Sequence, residues 1–108
     1  MRRFLPLLLL LALVPMSAPA AAASRPPVVV ELFTAQGCSS CRAANSHLAD
    51  LADDPGVLAL TFSVDYWDYL GWRDTFAQPA FAERQKAYSR RLAVREVYTP
   101  QVVIDGRF

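Results

Sequence analysis

Cys38 and Cys41 are the only cysteines of the chain and stand three apart in the stretch FTAQGCSSCRAAN, residues 33–45. A pair at this spacing is a redox couple, a small disulfide staple or half of a metal site. The residues before it read as a strand and those after it as a helix, a setting that projects both side chains from one face within disulfide reach. At a helix start the unpaired backbone N–H groups and the helix dipole stabilise a thiolate. Cys38 is therefore expected to be the exposed nucleophile and Cys41, one turn into the helix, the buried resolving thiol. Gly37 is expected to let the backbone turn tightly into that helix. A staple across so few residues removes little unfolded-state entropy, which favours the redox reading. Zinc normally takes four ligands, and the chain has no second CxxC and a single histidine, His47. Copper(I), which accepts soft thiolates, stays open.

Thr99-Pro100 opens a later strand. A proline there, after a small polar residue, can adopt the cis form and lie opposite a CxxC. The segment DYWDYLGW, residues 65–72, is dense in aromatics. Tyr66, Trp67, Tyr69 and Trp72 are expected to pack onto a sheet with their polar tips at the rim. Asp65 and Asp68 lack the further oxygen ligands of a calcium loop. Arg84, Lys86, Arg90, Arg91 and Arg95 make a later helix basic, which is the usual signature of a solvated face. No cofactor motif is present.

The elements that must position these groups follow from the hydrophobic pattern. Arg2-Arg3, the apolar run Phe4–Val14 and the small residues through Ala23 form a secretory signal peptide over residues 1–23. The run is too short for a spanning helix of about 20 residues, so no stable membrane span is expected after cleavage. Loss of Arg2 and Arg3 lowers the basic count from 11 to 9 against 10 acids, a net charge of −1 that excludes a nucleic-acid partner. Export, with the bacterial periplasm as the expected compartment, exposes the cysteine pair to oxidants.

Residues 24–108 are expected to form one domain. VVVELF, residues 28–33, is a buried strand, and residues 39–53 are a helix with Ala44, Leu48, Leu51 and Ala52 on its apolar face. VLALTFSV, residues 57–64, is a second buried strand. Strand, helix and strand make a βαβ unit with a parallel sheet. Pro79 opens a second helix whose apolar stripe is Phe81, Tyr88 and Leu92. A third strand begins at Thr99-Pro100 and ends in a hairpin turn at Asp105-Gly106.

VVELFTAQGCSSC, VDYWDYLGW, FAERQKAY and VYTPQVVIDGR together resemble a family of secreted bacterial thioredoxin-like proteins catalogued as a domain of unknown function. The resemblance covers nearly all of residues 24–108. It implies an α/β, thioredoxin-like fold with a helical insertion between the second and third strands, and exchange with protein thiols and disulfides or a redox partner protein. Cys38 and Cys41 match the active-site pair of thioredoxin-like oxidoreductases, and Pro100 matches their cis-proline. Ser39-Ser40 replaces the dipeptides of strong reductants and strong oxidants, so a potential between the extremes of about −270 and −120 mV is expected. Glu31 lies close to where thioredoxins carry a buried acid, which would make it a proton acceptor for Cys41. The alternative is a strand glutamate paired with an arginine. The resemblance also implies a further strand and helix after Phe108, so the domain is expected to be incomplete, truncated at its C-terminus. The rival function is a non-enzymatic periplasmic binding protein, for copper or a partner protein, with a structural disulfide.

Overall fold

The computed structural model describes residues 14–16 and 25–108; most of the expected signal peptide lies outside them. The chain runs as β1 (Val28–Thr34), α1 (Cys41–Leu51), β2 (Val57–Ser63), a 3-10 turn at Asp68–Leu70, α2 (Pro79–Arg91) and β3 (Gln101–Ile104). It is a small mixed α/β unit whose sheet has the order β2-β1-β3. β1 and β2 pair in parallel from Val28↔Val57 to Thr34↔Ser63. β3 pairs antiparallel with β1 from Val30↔Ile104 to Phe33↔Gln101.

β1 is the central strand, and its alternation sends two different sets of side chains to the two faces. Val30 and Leu32 pack with Leu48 of α1, flanked by Ala44, Val57 and Ala59. Phe33 belongs to a second cluster with Ala35, Cys38, Cys41, Val64, Ala82 and Val103, against which Phe62, Tyr66, Trp67 and Tyr88 pack. Rings reinforce this second cluster. Phe33 stacks on Phe62 with centroids 5.3 Å apart, and Phe62 meets Phe81 of α2 edge-on at 5.1 Å.

Four expectations are corrected. β2 is only half-buried: Leu58 and Thr61 are exposed, because β2 is an edge strand and α2 reaches only its Phe62 end. α1 is shorter than residues 39–53, since Ser39 and Ser40 are spent in a turn before it. Leu51 and Ala52 at its end are exposed, so its buried positions are Cys41 and Leu48 with Ala44 half-buried. The buried stripe of α2 is Ala82, Gln85 and Ser89, while Phe81, Tyr88 and Leu92 flank it half-buried. Hydrophobicity alone mislocates that stripe because two of its three residues are polar and satisfied internally.

The turns match their residues closely. Pro79 occupies the start of α2, where its missing N–H is not needed. Asp105 and Gly106 have φ of 49° and 77°, the positive pair of a two-residue hairpin, closed by the N–H of Arg107 donating to Ile104 O at 3.0 Å and the N–H of Ile104 donating to Arg107 O at 2.7 Å. The Asp105 side chain also accepts from the Val29 N–H at 2.8 Å, which ties the turn to β1.

Candidate functional site

Cys38 and Cys41 are joined as a disulfide with Cα atoms 5.4 Å apart. The chain leaves β1 at Thr34, turns through Gln36-Gly37 and Ser39-Ser40, and enters α1 at Cys41. Cys41 therefore opens the helix and does not lie one turn inside it, and Cys38 precedes the Ser40 cap. Turn hydrogen bonds fix the loop: Cys38 N–H donates to Ala35 O at 3.2 Å, and Cys41 N–H donates to Cys38 O at 3.1 Å. Cys38 is 5% exposed and Cys41 is fully buried, so the expected freely exposed nucleophile is nearly covered. Access to it runs through a cavity of about 450 Å³ lined by Ala35, Gln36, Cys38, Ser39, Arg42 and Asn45. Cys41 does not line it.

Of the two intervening serines, Ser39 lines the cavity and Ser40 contacts the disulfide. The Ser40 hydroxyl lies 3.5 Å from Cys38 Sγ and is the only available donor of the two while the sulfur is in the disulfide. Gly37 has no positive φ, so the turn itself does not demand glycine. Its role is close approach: a Cβ there would sit 3.2 Å from Trp67 Cβ, a tight contact. Trp67 in turn donates its indole N–H to Thr99 Oγ1 at 2.7 Å. One aromatic side chain thus spans from the cysteine loop to the residue before Pro100. The Thr99–Pro100 peptide is cis, and the register Phe33↔Gln101 sets Pro100 beside the end of β1, where the cysteine loop departs.

Polar groups that hydrophobic pattern reading passes over hold this end together. Asp74, 5% exposed, accepts the N–H of Gln36 at 2.7 Å and those of Phe76 and Ala77 at 2.9 and 3.1 Å. Gln36 Oε1 accepts from Trp72 Nε1 at 2.9 Å and from the Thr75 N–H at 3.1 Å. The loop after the aromatic segment is thereby clamped to the residue two before Cys38. Gln85, fully buried, accepts from the Tyr66 hydroxyl at 2.9 Å and donates to Tyr98 O at 2.8 Å and Gln101 Oε1 at 2.9 Å. Gln85 therefore joins α2, the aromatic segment and both flanks of Thr99-Pro100. The Asp74 clamp carried a sequence signal, an aspartate two and three residues before the amides it caps. Gln85 carried none.

Glu31 is buried at mid-strand, and Arg84 and Tyr88 of α2 both bond its carboxylate; Arg84 Nε donates at 2.7 Å. The arginine pairing is thus present, formed by a residue that composition assigns to a solvated face. Among the described residues no hydrogen bond joins Glu31 to either cysteine. The bond to Glu31 holds the Arg84 guanidinium charged above its usual range, against the cost of its partial burial. Burial, and then the bond to Glu31, push the Tyr88 phenol up. Burial likewise pushes Tyr66 up, with its bond to Gln85 opposing. Arg84 also lies over the Phe62 and Tyr88 rings, at 5.0 and 5.4 Å from their centroids.

Among the described residues no three His, Cys, Asp or Glu side chains gather as a metal-ligating group, and none of the described helices is long and apolar enough to cross a membrane. His47 is exposed on α1.

No curated protein matches the chain. The X-ray crystal structure of protein AGR_C_4864 from Agrobacterium tumefaciens is similar, at 45% identity and a TM-score of 0.74 over 80% of this chain. The match spans 39% of the length of that protein. The family model described as "Protein of unknown function (DUF1223)" matches residues 29–108, so the chain belongs to the DUF1223 family.

Proposed function

We propose that this chain is an exported thiol–disulfide oxidoreductase of thioredoxin-like fold, acting on cysteines of extracytoplasmic proteins or of a redox partner protein. The observation that carries this reading is the asymmetry of the disulfide: Cys38 lines an open cavity and Cys41 is sealed in the core behind it. A substrate thiolate attacks Cys38 Sγ, the Cys38–Cys41 bond breaks, and a mixed disulfide forms at Cys38 while Cys41 leaves as a thiolate. A second substrate thiolate releases the substrate disulfide and the Cys38 thiolate, so two electrons pass from two thiols to the protein. The reverse sequence oxidises the dithiol. Ser40 stabilises the Cys38 thiolate by its hydroxyl, and Thr99-Pro100, held by Trp67, stands beside the end of β1 from which the cysteine loop departs.

The Cys41→Ser variant tests the reading, because it removes the resolving thiol and should accumulate mixed disulfides at Cys38 in periplasmic extract. Recovery of none, together with tight Cu(I) binding by the reduced wild type, would replace the reading with that of a binding protein. Glu31→Gln addresses proton transfer separately. Slower exchange in a folded variant would assign Glu31 a relay role; an unchanged rate in a folded variant would leave it as the partner of Arg84 alone.

A further inference from the structure

The walls of the cavity beside Cys38 are chemically one-sided. Its polar lining consists of Gln36, Ser39, Arg42 and Asn45, with no carboxylate among the lining residues. Gln36 Oε1 is already occupied by Trp72 and Thr75, and Asn45 Oδ1 accepts from the Thr34 hydroxyl at 2.7 Å. The acceptors of both amides are thus engaged within the protein, which leaves the Asn45 amide N–H groups, the Ser39 hydroxyl and the Arg42 guanidinium as donors. Asp74, which bonds the Gln36 N–H, does not line the cavity. Arg42 is exposed and makes no ion pair among the described residues, unlike Arg84, which is taken by Glu31. A rim of donors around one cation, beside the one cysteine of the disulfide that lines the cavity, favours a ligand that brings negative charge with its thiol.

We propose that this cavity recognises a carboxylate carried next to the attacking thiol, with Arg42 as the specificity-determining residue, so that the protein exchanges preferentially with acidic thiols. The inference rests on the thiol–disulfide reading above and names its substrate class. The attacking thiolate forms its bond to Cys38 Sγ, the Cys38–Cys41 bond breaks, and the neighbouring carboxylate pairs with Arg42 in the mixed disulfide. Cys41 departs as the thiolate, and a second acidic thiol completes the two-electron reduction of the protein.

The test mixes the oxidised full chain with single-cysteine decapeptides flanked by two aspartates or by two lysines, and with glutathione beside its dimethyl ester, which lacks both carboxylates. Rates are expressed per thiolate, since flanking charge alters thiol ionisation. Wild type should favour the acidic member of a pair by about fivefold at low salt, the size of one partly exposed ion pair, and the preference should shrink at 1 M salt, where the Debye length is about 3 Å. Preference within the peptide pair points to polypeptide substrates and preference within the glutathione pair to a small acidic thiol; either supports the site. Arg42→Gln should bring both members to parity, and Arg42→Glu should favour the lysine peptide. Equal wild-type rates in both pairs, or a preference that survives Arg42→Gln, would overturn the role of Arg42 while leaving exchange at Cys38 intact. Absence of exchange with every thiol would overturn the oxidoreductase reading and the inference together.

Discussion

The two faces of β1 are built on different physics. Toward α1 the strand presents Val30 and Leu32 to Leu48, an apolar contact with no polar atom to satisfy. Toward α2 the same strand presents Glu31 and Phe33; Arg84 and Tyr88 bond Glu31, Ala82 packs in the cluster of Phe33, and Gln85 bonds Gln101 of the neighbouring β3. The first face depends on burial of area, which is non-directional and roughly additive. The second depends on bonds that must all be made, so its members are coupled. The disulfide belongs to the cluster on the second face. Its surroundings are therefore positioned by directional bonds, which specify where Thr99-Pro100 and the aromatic segment sit in a way that apolar packing does not.

The sharpest way to separate the faces is to damage each in turn. Leu32→Ala, at a fully buried position on the α1 face, should cost about 2–5 kcal/mol of unfolding free energy in a denaturant titration, while the folded fraction keeps its exchange rate at Cys38. A folded variant with strongly altered exchange would show that the α1 face also tunes the site. On the α2 face, Arg84→Met leaves a buried carboxylate with only Tyr88 as side-chain partner and should cost about 1–3 kcal/mol. That cost should fall markedly in the Glu31→Gln, Arg84→Met double variant, because the stranded charge is then gone. Simple additivity of the two would deny the coupling.

Smaller effects test the connection between the polar face and the disulfide. Trp67→Phe removes the indole donor to Thr99 and should cost about 0.5–1.5 kcal/mol. Unlike Leu32→Ala, it should change the exchange rate of the folded protein, and an unchanged rate would disconnect Thr99 from the site. The tyrosines supply a pH dependence confined to the α2 side. The phenols of Tyr66 and Tyr88 are raised above 10.0 in the folded chain, so folding disfavours their ionisation. Their contribution is complete below about pH 10 and is lost as pH rises through the higher folded values. Unfolding free energies at pH 9 and pH 11 should therefore fall less steeply in Tyr88→Phe than in wild type; parallel losses in the two proteins would place the alkaline sensitivity elsewhere.

Local signals made much of the frame legible. The β-branched run at 28–33, Pro79 at a helix start and Asp105-Gly106 in a hairpin each act within a few residues, and each element stands where its signal lies. The cysteine spacing likewise made the disulfide readable. Less legible were features that depend on partners far along the chain. Glu31 and Arg84 are 53 residues apart, and Gln36 and Asp74 are 38 apart, so no periodicity relates them. Gln85 carries no local signal, and its role is set by Tyr66, Tyr98 and Gln101 converging on it. Gly37 invited a turn explanation, whereas the constraint is a tryptophan thirty residues on.

By itself, then, the sequence determined the elements, the turn chemistry and the spacing that puts Cys38 and Cys41 within disulfide reach, because each is set by backbone preferences and short loops. Only the tertiary structure decided the sheet order β2-β1-β3, the antiparallel placement of β3, the partner of Glu31 and the one-sided cavity that Cys38 lines and Cys41 does not. These depend on which distant polar groups are brought within hydrogen-bond reach once the two helices cover opposite faces of β1, and a linear pattern does not encode that convergence.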